Sequence, residues 1–208
     1  MTVSSRNYGI PKVSAKRLFD EGYELAFLSK KRVKPWSRIF ELWTLAATAG
    51  FARAQFYLGT CYDFANGTEM NLHVAFAWYL KAAKAGHRDA QYNVGFFYGS
   101  NEIGNEDHTK KVYWYKKAAA AGLIDAQRDL GYAYFYGEGI KRNHEKADYW
   151  YRKAAANNDD KALYNLGLCY LYGEGVVQSN RWAIHYFNKA VSYGNRKAKG
   201  QLKRIGGR

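Results

Sequence analysis

Four stretches of this sequence decide its fold, and each begins 36 residues after the one before: AWYLKAAKAG (77–86), YWYKKAAAAG (113–122), YWYRKAAANN (149–158) and HYFNKAVSYG (185–194). A second set keeps the same interval: AQFYLGTCY (54–62), AQYNVGFFY (90–98), AQRDLGYAY (126–134) and ALYNLGLCY (162–170). A fixed period of this length is typical of repeat proteins, in which each repeat is one supersecondary unit. The period defines four full units, at 54–89, 90–125, 126–161 and 162–197.

Each unit has the pattern of two consecutive helices. In the first helix, Ala54, Leu58 and Cys61 are spaced to fall on one helical face. The second helix begins after a residue type that caps helix N-termini and ends before one that tolerates left-handed backbone. The caps are Asn71, Asp107, Asn143 and Ser179, and the end residues are Gly86, Gly122, Asn158 and Gly194. The sequence therefore predicts an all-α fold of 36-residue helix–turn–helix repeats.

Aromatic residues and cysteines recur at matched repeat positions, which favours a packing role for them. Tyr79, Tyr115, Tyr151 and Phe187 form one ladder, and Trp78, Trp114, Trp150 and Tyr186 form the adjacent one. We expect both ladders to lie in the core. Cys61 and Cys169 share one repeat position, so we expect two buried thiols rather than a disulfide framework or a nucleophile. In unit 90–125 Asn101-Glu102-Ile103 replaces a G-x-G segment, and we expect a loop of different shape there.

The pattern A-x-x-x-L-G-x-x-Y, then G-x-G-[VI], then K-A-x-x-W-Y-x-K-A-A-x-x-G, resembles the Sel-one-like repeat. This family is related to the tetratricopeptide repeat and has a longer unit. The resemblance covers 54–197 and implies a right-handed α/α superhelix, or solenoid, that serves as an adaptor or scaffold. Residues 17–53 are interpreted as a degenerate N-terminal capping repeat that follows an arm at 1–16. Residues 198–208 are expected to form a C-terminal capping helix and tail.

By analogy with the tetratricopeptide groove, certain positions of the first helices should face the concave side and bind a partner. The residues at these positions vary between units while the framework repeats, and tyrosine and arginine are enriched in interface hot spots. The predicted partner-binding residues are Tyr57, Phe64, Tyr92, Asn93, Phe96, Arg128, Tyr132, Tyr136, Tyr164, Asn165 and Tyr172. The alternative is that some of these aromatic residues only pack.

The formal net charge of +14 is concentrated at the two ends of the chain. Residues 1–53 carry a net charge of +6, the units 54–89 and 90–125 are neutral, and 198–208 carries +4. The basic residues singled out are Lys30, Lys31, Arg32, Lys34, Arg196, Lys197, Lys199, Lys203 and Arg204. They favour either contacts with an acidic partner or simple solubility.

These patterns favour a protein-binding function over catalysis. We expect a cytoplasmic scaffold or adaptor, because the first residues lack the apolar segment of a signal peptide and no run is long enough to span a membrane. One specific form is an immunity or inhibitor protein that sequesters an acidic bacterial effector. Nucleic-acid binding is the alternative, since the chain is basic, but no recognition motif accompanies the charge. Neither a metal nor another cofactor is expected, and an enzyme is the least favoured class.

Overall fold

The computed structural model of the protein describes residues 12–30 and 32–206. Within these residues all regular structure is helical, with one π-helical segment at Glu24–Leu28. The α-helices are α1 (Lys12–Tyr23), α2 (Trp36–Thr48), α3 (Ala52–Asp63), α4 (Leu72–Lys84), α5 (Arg88–Gly99), α6 (His108–Ala120), α7 (Ile124–Tyr136), α8 (His144–Ala155), α9 (Asp160–Tyr172), α10 (Asn180–Ser192) and α11 (Arg196–Gly206). The predicted alternation of two helices per unit is confirmed.

The chain divides into two compact units. Of the described residues, those up to 97 together with 102–104 form the first unit, and 98–101 together with 105–206 form the second. In the first unit, α1 packs on α2, α2 on α3, and α3 on α4. In the second unit, α6 packs on α7, α7 on α8, α8 on α9, α9 on α10, and α10 on α11. Within each unit, these helices therefore pack on their neighbours in sequence, as expected for stacked hairpins.

The predicted boundaries of the second helices are confirmed. The side chains of Asn71, Asp107, Asn143 and Ser179 each accept a hydrogen bond from the backbone N–H three residues later, which satisfies one orphan donor of the second helix. At the other end, Gly86, Gly122, Asn158 and Gly194 all have positive φ. The asparagine takes the same left-handed conformation as the glycines, with φ of 62°.

One aromatic ladder is buried as predicted, and it lies directly against glycines of the first helices. Tyr79, Tyr115, Tyr151 and Phe187 are at most 3% exposed. A Cβ at Gly59, Gly131 or Gly167 would meet the ring of Tyr79, Tyr151 or Phe187 at 2.7 Å or less. The glycine of the A-x-x-x-L-G pattern is therefore required by a ring that packs on bare backbone.

The second ladder corrects the sequence interpretation. Only Trp114 is buried, whereas Trp78, Trp150 and Tyr186 are half-buried. These side chains directly precede the core-facing rings, and one residue turns a helix by about 100°. They therefore lie at the edge of the buried stripe, where Trp78 is covered by the Lys81 ammonium at 3.8 Å from the ring centroid.

A glutamine that recurs in three of the first helices joins successive hairpins. The buried side chains of Gln55, Gln91 and Gln127 each donate to a backbone carbonyl near the end of the preceding second helix, at 3.3 Å. Each of these carbonyls also accepts from the backbone N–H of the glycine three residues later, at 3.0–3.1 Å, so the glutamine adds a second hydrogen bond at the end of the helix. In the fourth unit Leu163 takes the position and is buried instead.

The capping segment that precedes the full units repeats their packing in altered form. Trp43 of α2 packs over Gly22, where an added Cβ would lie 2.6 Å from the indole nitrogen. Its Nε1–H donates to the carbonyl of Phe19 at 3.3 Å.

The loop 100–107 has positive φ only at Gly104, whereas the equivalent segments have it at Gly137 and Gly139 and again at Gly173 and Gly175. The expectation of a different loop after Asn101 is therefore confirmed.

His87 caps the N-terminus of α5 with its ring. The Nδ1 atom accepts a hydrogen bond from the Ala90 N–H at 3.3 Å. The imidazole stacks on Phe56, with ring centroids 4.5 Å apart. Burial lowers the pKa of His87; the carboxylate of Asp89 opposes this shift, and neighbouring arginines reinforce it. The folded protein therefore favours the neutral ring, which is the form that can accept the capping bond.

We expect His87 to make the first unit less stable in weak acid. The pKa of His87 in the folded protein lies below its unfolded value of about 6.5. The stabilisation of the fold by the neutral ring is therefore complete above that pH and is lost as the pH falls below it. Unfolding by urea at about pH 7.5 and about pH 5 measures the loss. In His87→Asn an amide oxygen can cap at both pH values, as Asn195 does for Ala198 at the equivalent position. An equal loss in the wild type and this variant would contradict the assignment.

Candidate functional site

A cleft of about 540 Å³ lies in the second unit, between the first helices of successive hairpins. The helices α7, α9 and α11 contribute its walls. Its lining residues are Arg128, Asp129, Tyr132, Asp160, Lys161, Tyr164, Asn165, Gly194, Asn195, Arg196 and Lys197. The volume lies in the range of ligand-binding pockets, so a side chain or short segment of another molecule fits in it.

The cleft is lined by residues from two groups that were predicted separately, the partner-binding residues and the basic residues of the C-terminal end. Four belong to the predicted partner-binding set, namely Arg128, Tyr132, Tyr164 and Asn165. Two others, Arg196 and Lys197, come from the predicted basic C-terminal end. They meet because the start of α11 lies beside the first helices of the two preceding units.

Arg128 is held in a network of carboxylates. Its guanidinium donates to Asp125 at 2.7 Å, to Asp129 at 2.8 Å and to Asp159 at 3.0 Å. Burial acts to lower the pKa of Arg128, but the hydrogen bonds and charges of these carboxylates raise it overall. The side chain is 12% exposed, so its charge is compensated within the fold. Arg128 therefore shapes the wall of the cleft and joins two hairpins.

Three other cations surround the cleft. Lys161 lies in the first turn of α9, and Arg196 and Lys197 lie in the first turn of α11. All three are exposed, and in the part of the chain that the structure describes none forms an ion pair within 4.0 Å. Their charge is therefore available to an incoming anion.

Asn195 fixes the start of α11 relative to α9. Its side-chain oxygen accepts from the Ala198 N–H at 3.0 Å, and its amide donates to the Asp160 carboxylate at 2.9 Å. With 8% of its surface exposed, this asparagine is one of the few buried polar residues. The two bonds position Arg196 and Lys197 at the rim of the cleft.

Tyrosines provide the aromatic surface of the site. Tyr132 and Tyr136 are 45% and 60% exposed, and their ring centroids lie 4.4 Å apart. Burial first, and then the neighbouring Tyr132, raise the pKa of Tyr136. Tyr164 is half-buried, with its ring 5.7 Å from that of Phe187 and its hydroxyl accepting from Gln201 at 3.4 Å. Tyr132 and Tyr136 therefore offer a contact surface, while Tyr164 supports the wall.

A second cleft, of about 410 Å³, lies at the C-terminal end of the unit. It brings together Tyr172, which is 62% exposed, and Arg204 from the predicted basic end. Leu171 and Ile205 add apolar surface to its lining. This cleft is separate from the first and opens along α11.

The predicted site residues of the first unit have diverse environments. Tyr57 is packed into an aromatic cluster, with its ring centroid 4.9 Å from that of Trp43, and burial raises its pKa. Phe64 and Phe96 are 68% and 46% exposed. Tyr92 and Asn93 are half-buried. Tyr57 therefore contributes to the core of its unit.

The basic loop before α2 is only partly available for contacts. Lys34 donates to the carbonyl of Ser29 at 2.6 Å and is half-buried. Lys30 and Arg32 are exposed, and Lys31 lies outside the described residues. At the other end, Lys199, Lys203 and Arg204 are exposed on α11.

The two cysteines are buried as predicted. Burial raises the pKa of Cys61 and that of Cys169 to about 12. A thiol with such a pKa is almost entirely protonated at neutral pH, and the thiolate is the nucleophilic form. Both residues therefore act as small packing groups.

Residues 12–30 and 32–206 contain neither a metal-binding cluster nor a membrane-spanning helix. No cluster of three or more histidine, cysteine, aspartate or glutamate side chains is placed to hold a metal ion. Within the same residues, none of the helices has the length and apolar character required to cross a membrane.

Five lining residues of the larger cleft were not among the predicted site residues, namely Asp129, Asp160, Lys161, Gly194 and Asn195. A signal was available for Asn195, because the residue before each first helix is Phe51, His87, Leu123, Asp159 and Asn195 in successive units. Asparagine is a preferred N-cap residue, which predicts that its side chain bonds to the start of α11.

The Sel1 repeat profile matches residues 52–87, 88–123, 124–159 and 160–195, which is more than half of the chain. The chain belongs to the Sel1 repeat family. The profile has the same period of 36 residues, and each of its units begins two residues before the corresponding unit defined from the sequence. Sel1 repeat proteins act as protein-interaction scaffolds.

Solved structures show which proteins this Sel1 repeat protein is similar to. A Sel1 repeat protein of Oxalobacter formigenes is 26% identical with a TM-score of 0.80, over 90% of this chain and 74% of that chain. A protective antigen of uropathogenic Escherichia coli is 33% identical with a TM-score of 0.80, over 92% of this chain but 41% of that chain. These matches confirm the predicted all-α solenoid class.

Immunity proteins are also among the similar structures. One from Pseudomonas aeruginosa is 25% identical with a TM-score of 0.52, over 88% of this chain and 67% of that chain. No functionally curated protein is similar enough in sequence to count as a match.

Proposed function

We propose that this Sel1 repeat protein binds an acidic partner protein through the cleft formed by α7, α9 and α11. The observation that carries the proposal is that Lys161, Arg196 and Lys197 line one cleft together with Tyr132, whose exposed ring packs beside that of Tyr136. Aromatic anchors with a cationic rim are the features that concentrate binding energy and select an acidic surface. No catalytic role is proposed.

The form of this function that we favour is that of an immunity or inhibitor protein, which sequesters one acidic effector in the cytoplasm. The similarity to an immunity protein of Pseudomonas aeruginosa supports this choice. The net charge of +14 supports it too, because long-range attraction accelerates the association of oppositely charged proteins. Nucleic-acid binding is the competing outcome, and the neutral units 54–89 and 90–125 oppose it, because they offer no excess positive charge to a phosphate backbone.

A photo-crosslinking experiment tests the site directly. The photoreactive residue p-benzoylphenylalanine would replace Tyr132 in the cleft or, as a control, Tyr149 on a second helix. The two native side chains are 45% and 50% exposed, so they are equally accessible. After irradiation in the native host, we expect one acidic protein to be crosslinked through position 132 and not through position 149.

Binding by the purified pair then tests the chemistry. Tyr132→Ala combined with Lys197→Glu should weaken the affinity at least about tenfold, while Tyr149→Ala should leave it unchanged. Binding should also weaken with added salt, because the rim charges are exposed. Identical crosslinked proteins at both positions, or recovery of nucleic acid alone, would contradict the proposal.

A further inference from the structure

Three aromatic side chains, Tyr170 of α9 and Trp182 and Tyr186 of α10, form a cluster at the protein surface. The rings of Tyr170 and Tyr186 are stacked with centroids 5.5 Å apart, and the Trp182 ring lies 6.1 Å from the first and 6.2 Å from the second. Arg152 of α8 donates to the two tyrosine hydroxyls at 2.7 and 3.2 Å, and to the carboxylate of Asp148 at 2.6 Å. These bonds hold the tyrosine rings in place, so the cluster is a preorganised surface.

The tryptophan of this cluster replaces a lysine of the preceding units. Lys110 and Lys146 occupy the equivalent position, with the ammonium 5.3 Å from the ring centroid of Tyr98 and 5.6 Å from that of Tyr134, respectively. Both lysines are exposed, so this position faces solvent in units that are followed by another unit. Trp182 is 48% exposed at the same position. Unit 162–197 therefore presents a large apolar ring where the preceding units present an ammonium group.

A smaller cleft, of about 240 Å³, adjoins the cluster. Its volume lies below the usual range of small-molecule pockets, so it has room for one large side chain of another molecule. Trp182, Tyr186 and Lys189 are spaced at i, i+4 and i+7 on α10, so the cluster and the cleft form one stripe along this helix. The lining residues are Arg152, Ala155 and Ala156 at the end of α8, Leu163 and Leu166 of α9, and Tyr186 and Lys189 of α10.

Two further substitutions make this cleft different from the equivalent place in unit 126–161. Tyr186 and Leu163 correspond there to Trp150 and Gln127. Tyrosine has a smaller ring system than tryptophan, which leaves more room between α8 and α10. Gln127 donates to a backbone carbonyl, whereas Leu163 adds only apolar surface. Both changes favour an apolar side chain as the occupant of the cleft.

The charge beside the cleft selects the kind of partner. Asp148 already compensates the charge of Arg152. Lys189 also lines the cleft, and in the part of the chain that the structure describes it forms no ion pair within 4.0 Å. Arg181 is the other basic residue of α10, which carries no acidic residue. The stripe therefore attracts carboxylates rather than cations.

We propose that the stripe of Trp182, Tyr186 and Lys189 on α10 binds an acidic peptide segment of another protein. One large apolar side chain of this segment enters the cleft, and a neighbouring carboxylate pairs with Lys189. Trp182 is the exposed anchor beside them, because tryptophan is the residue type most enriched in interface hot spots. The stripe shares no lining residue with the α7–α9–α11 cleft, and the inference does not depend on the function proposed for that cleft.

A phage-displayed library of short random peptides provides the probe. The library is first passed over the variant Trp182→Lys, which removes peptides that bind elsewhere on the protein. This variant should keep the fold, since the preceding units have lysine at the same exposed position. Selection on the wild type should then enrich peptides that combine one large apolar residue with aspartate or glutamate. In fluorescence anisotropy, Lys189→Glu should bind the enriched peptide about tenfold more weakly than the wild type.

Two controls determine whether the contact is specific. Ile184 is 37% exposed on α10 and lies about 200° around the helix from Trp182. Ile184→Lys should therefore leave the affinity for the peptide unchanged. Failure to enrich any peptide, enrichment of peptides without carboxylates, or equal weakening by Ile184→Lys and Lys189→Glu would overturn the proposal. Tyr132→Ala combined with Lys197→Glu should not affect the peptide, so failure here is distinguishable from failure of the α7–α9–α11 cleft.

Discussion

Gly139→Ala is expected to destabilise the second unit by roughly 3–5 kcal/mol, from backbone strain combined with steric overlap. Gly139 lies in the loop between α7 and α8 with φ of 68°, a conformation that costs any other residue free energy. An added Cβ would also lie 2.1 Å from the His108 carbonyl oxygen at the start of α6. Both atoms belong to backbone or are fixed to it, so neither can rotate away.

Gly122→Ala is the matched control for this prediction. Gly122 has φ of 84°, but an added Cβ would meet nothing within 4 Å. The variant should therefore lose only the conformational contribution, about 1–2 kcal/mol. Denaturant unfolding of both variants measures the difference. If the two lose the same free energy, the close approach of the α7–α8 loop to α6 does not stabilise the fold.

The sequence predicts the helices well because their boundaries depend on neighbouring residues. An N-cap such as Asn143 bonds to an N–H three residues away, and Asn158 adopts a conformation set by its own backbone. The ring ladder is equally predictable, since a period of 36 residues places Tyr151 and Phe187 at the same point of successive hairpins. These features need no knowledge of distant contacts.

The cleft could be predicted only in part, because its shape depends on contacts between hairpins. Arg128 looked like a binding residue, but Asp159, 31 positions later, pairs with it. Asn195 joins α11 to Asp160 across 35 positions. Neither contact leaves a periodic signal, since each occurs once in the chain. The varied positions identified Tyr132 and Tyr164 as distinct from the framework, and the structure shows which of them is more exposed.

Tyr151→Ala is expected to cost about 3–5 kcal/mol of unfolding free energy, the usual range for removing a large buried aromatic side chain. Tyr151 is 2% exposed and packs over Gly131 of the preceding first helix. Its control is Tyr149→Ala, two residues away on the same helix, where the side chain is 50% exposed. That change should cost less than about 1 kcal/mol, as most surface substitutions do.

A double-mutant cycle shows whether the ring and the glycine act together. In the wild type, Gly131→Ala should destabilise the protein, because the new Cβ would lie 2.7 Å from the Tyr151 ring. In the Tyr151→Ala background the ring is gone, and the same change should instead stabilise the helix by up to about 1 kcal/mol, since alanine is the better helix former. This reversal of sign is expected only if Gly131 is required because the Tyr151 ring occupies the space that a Cβ would fill. Additive effects in the cycle would contradict the packing that defines each hairpin of the repeat.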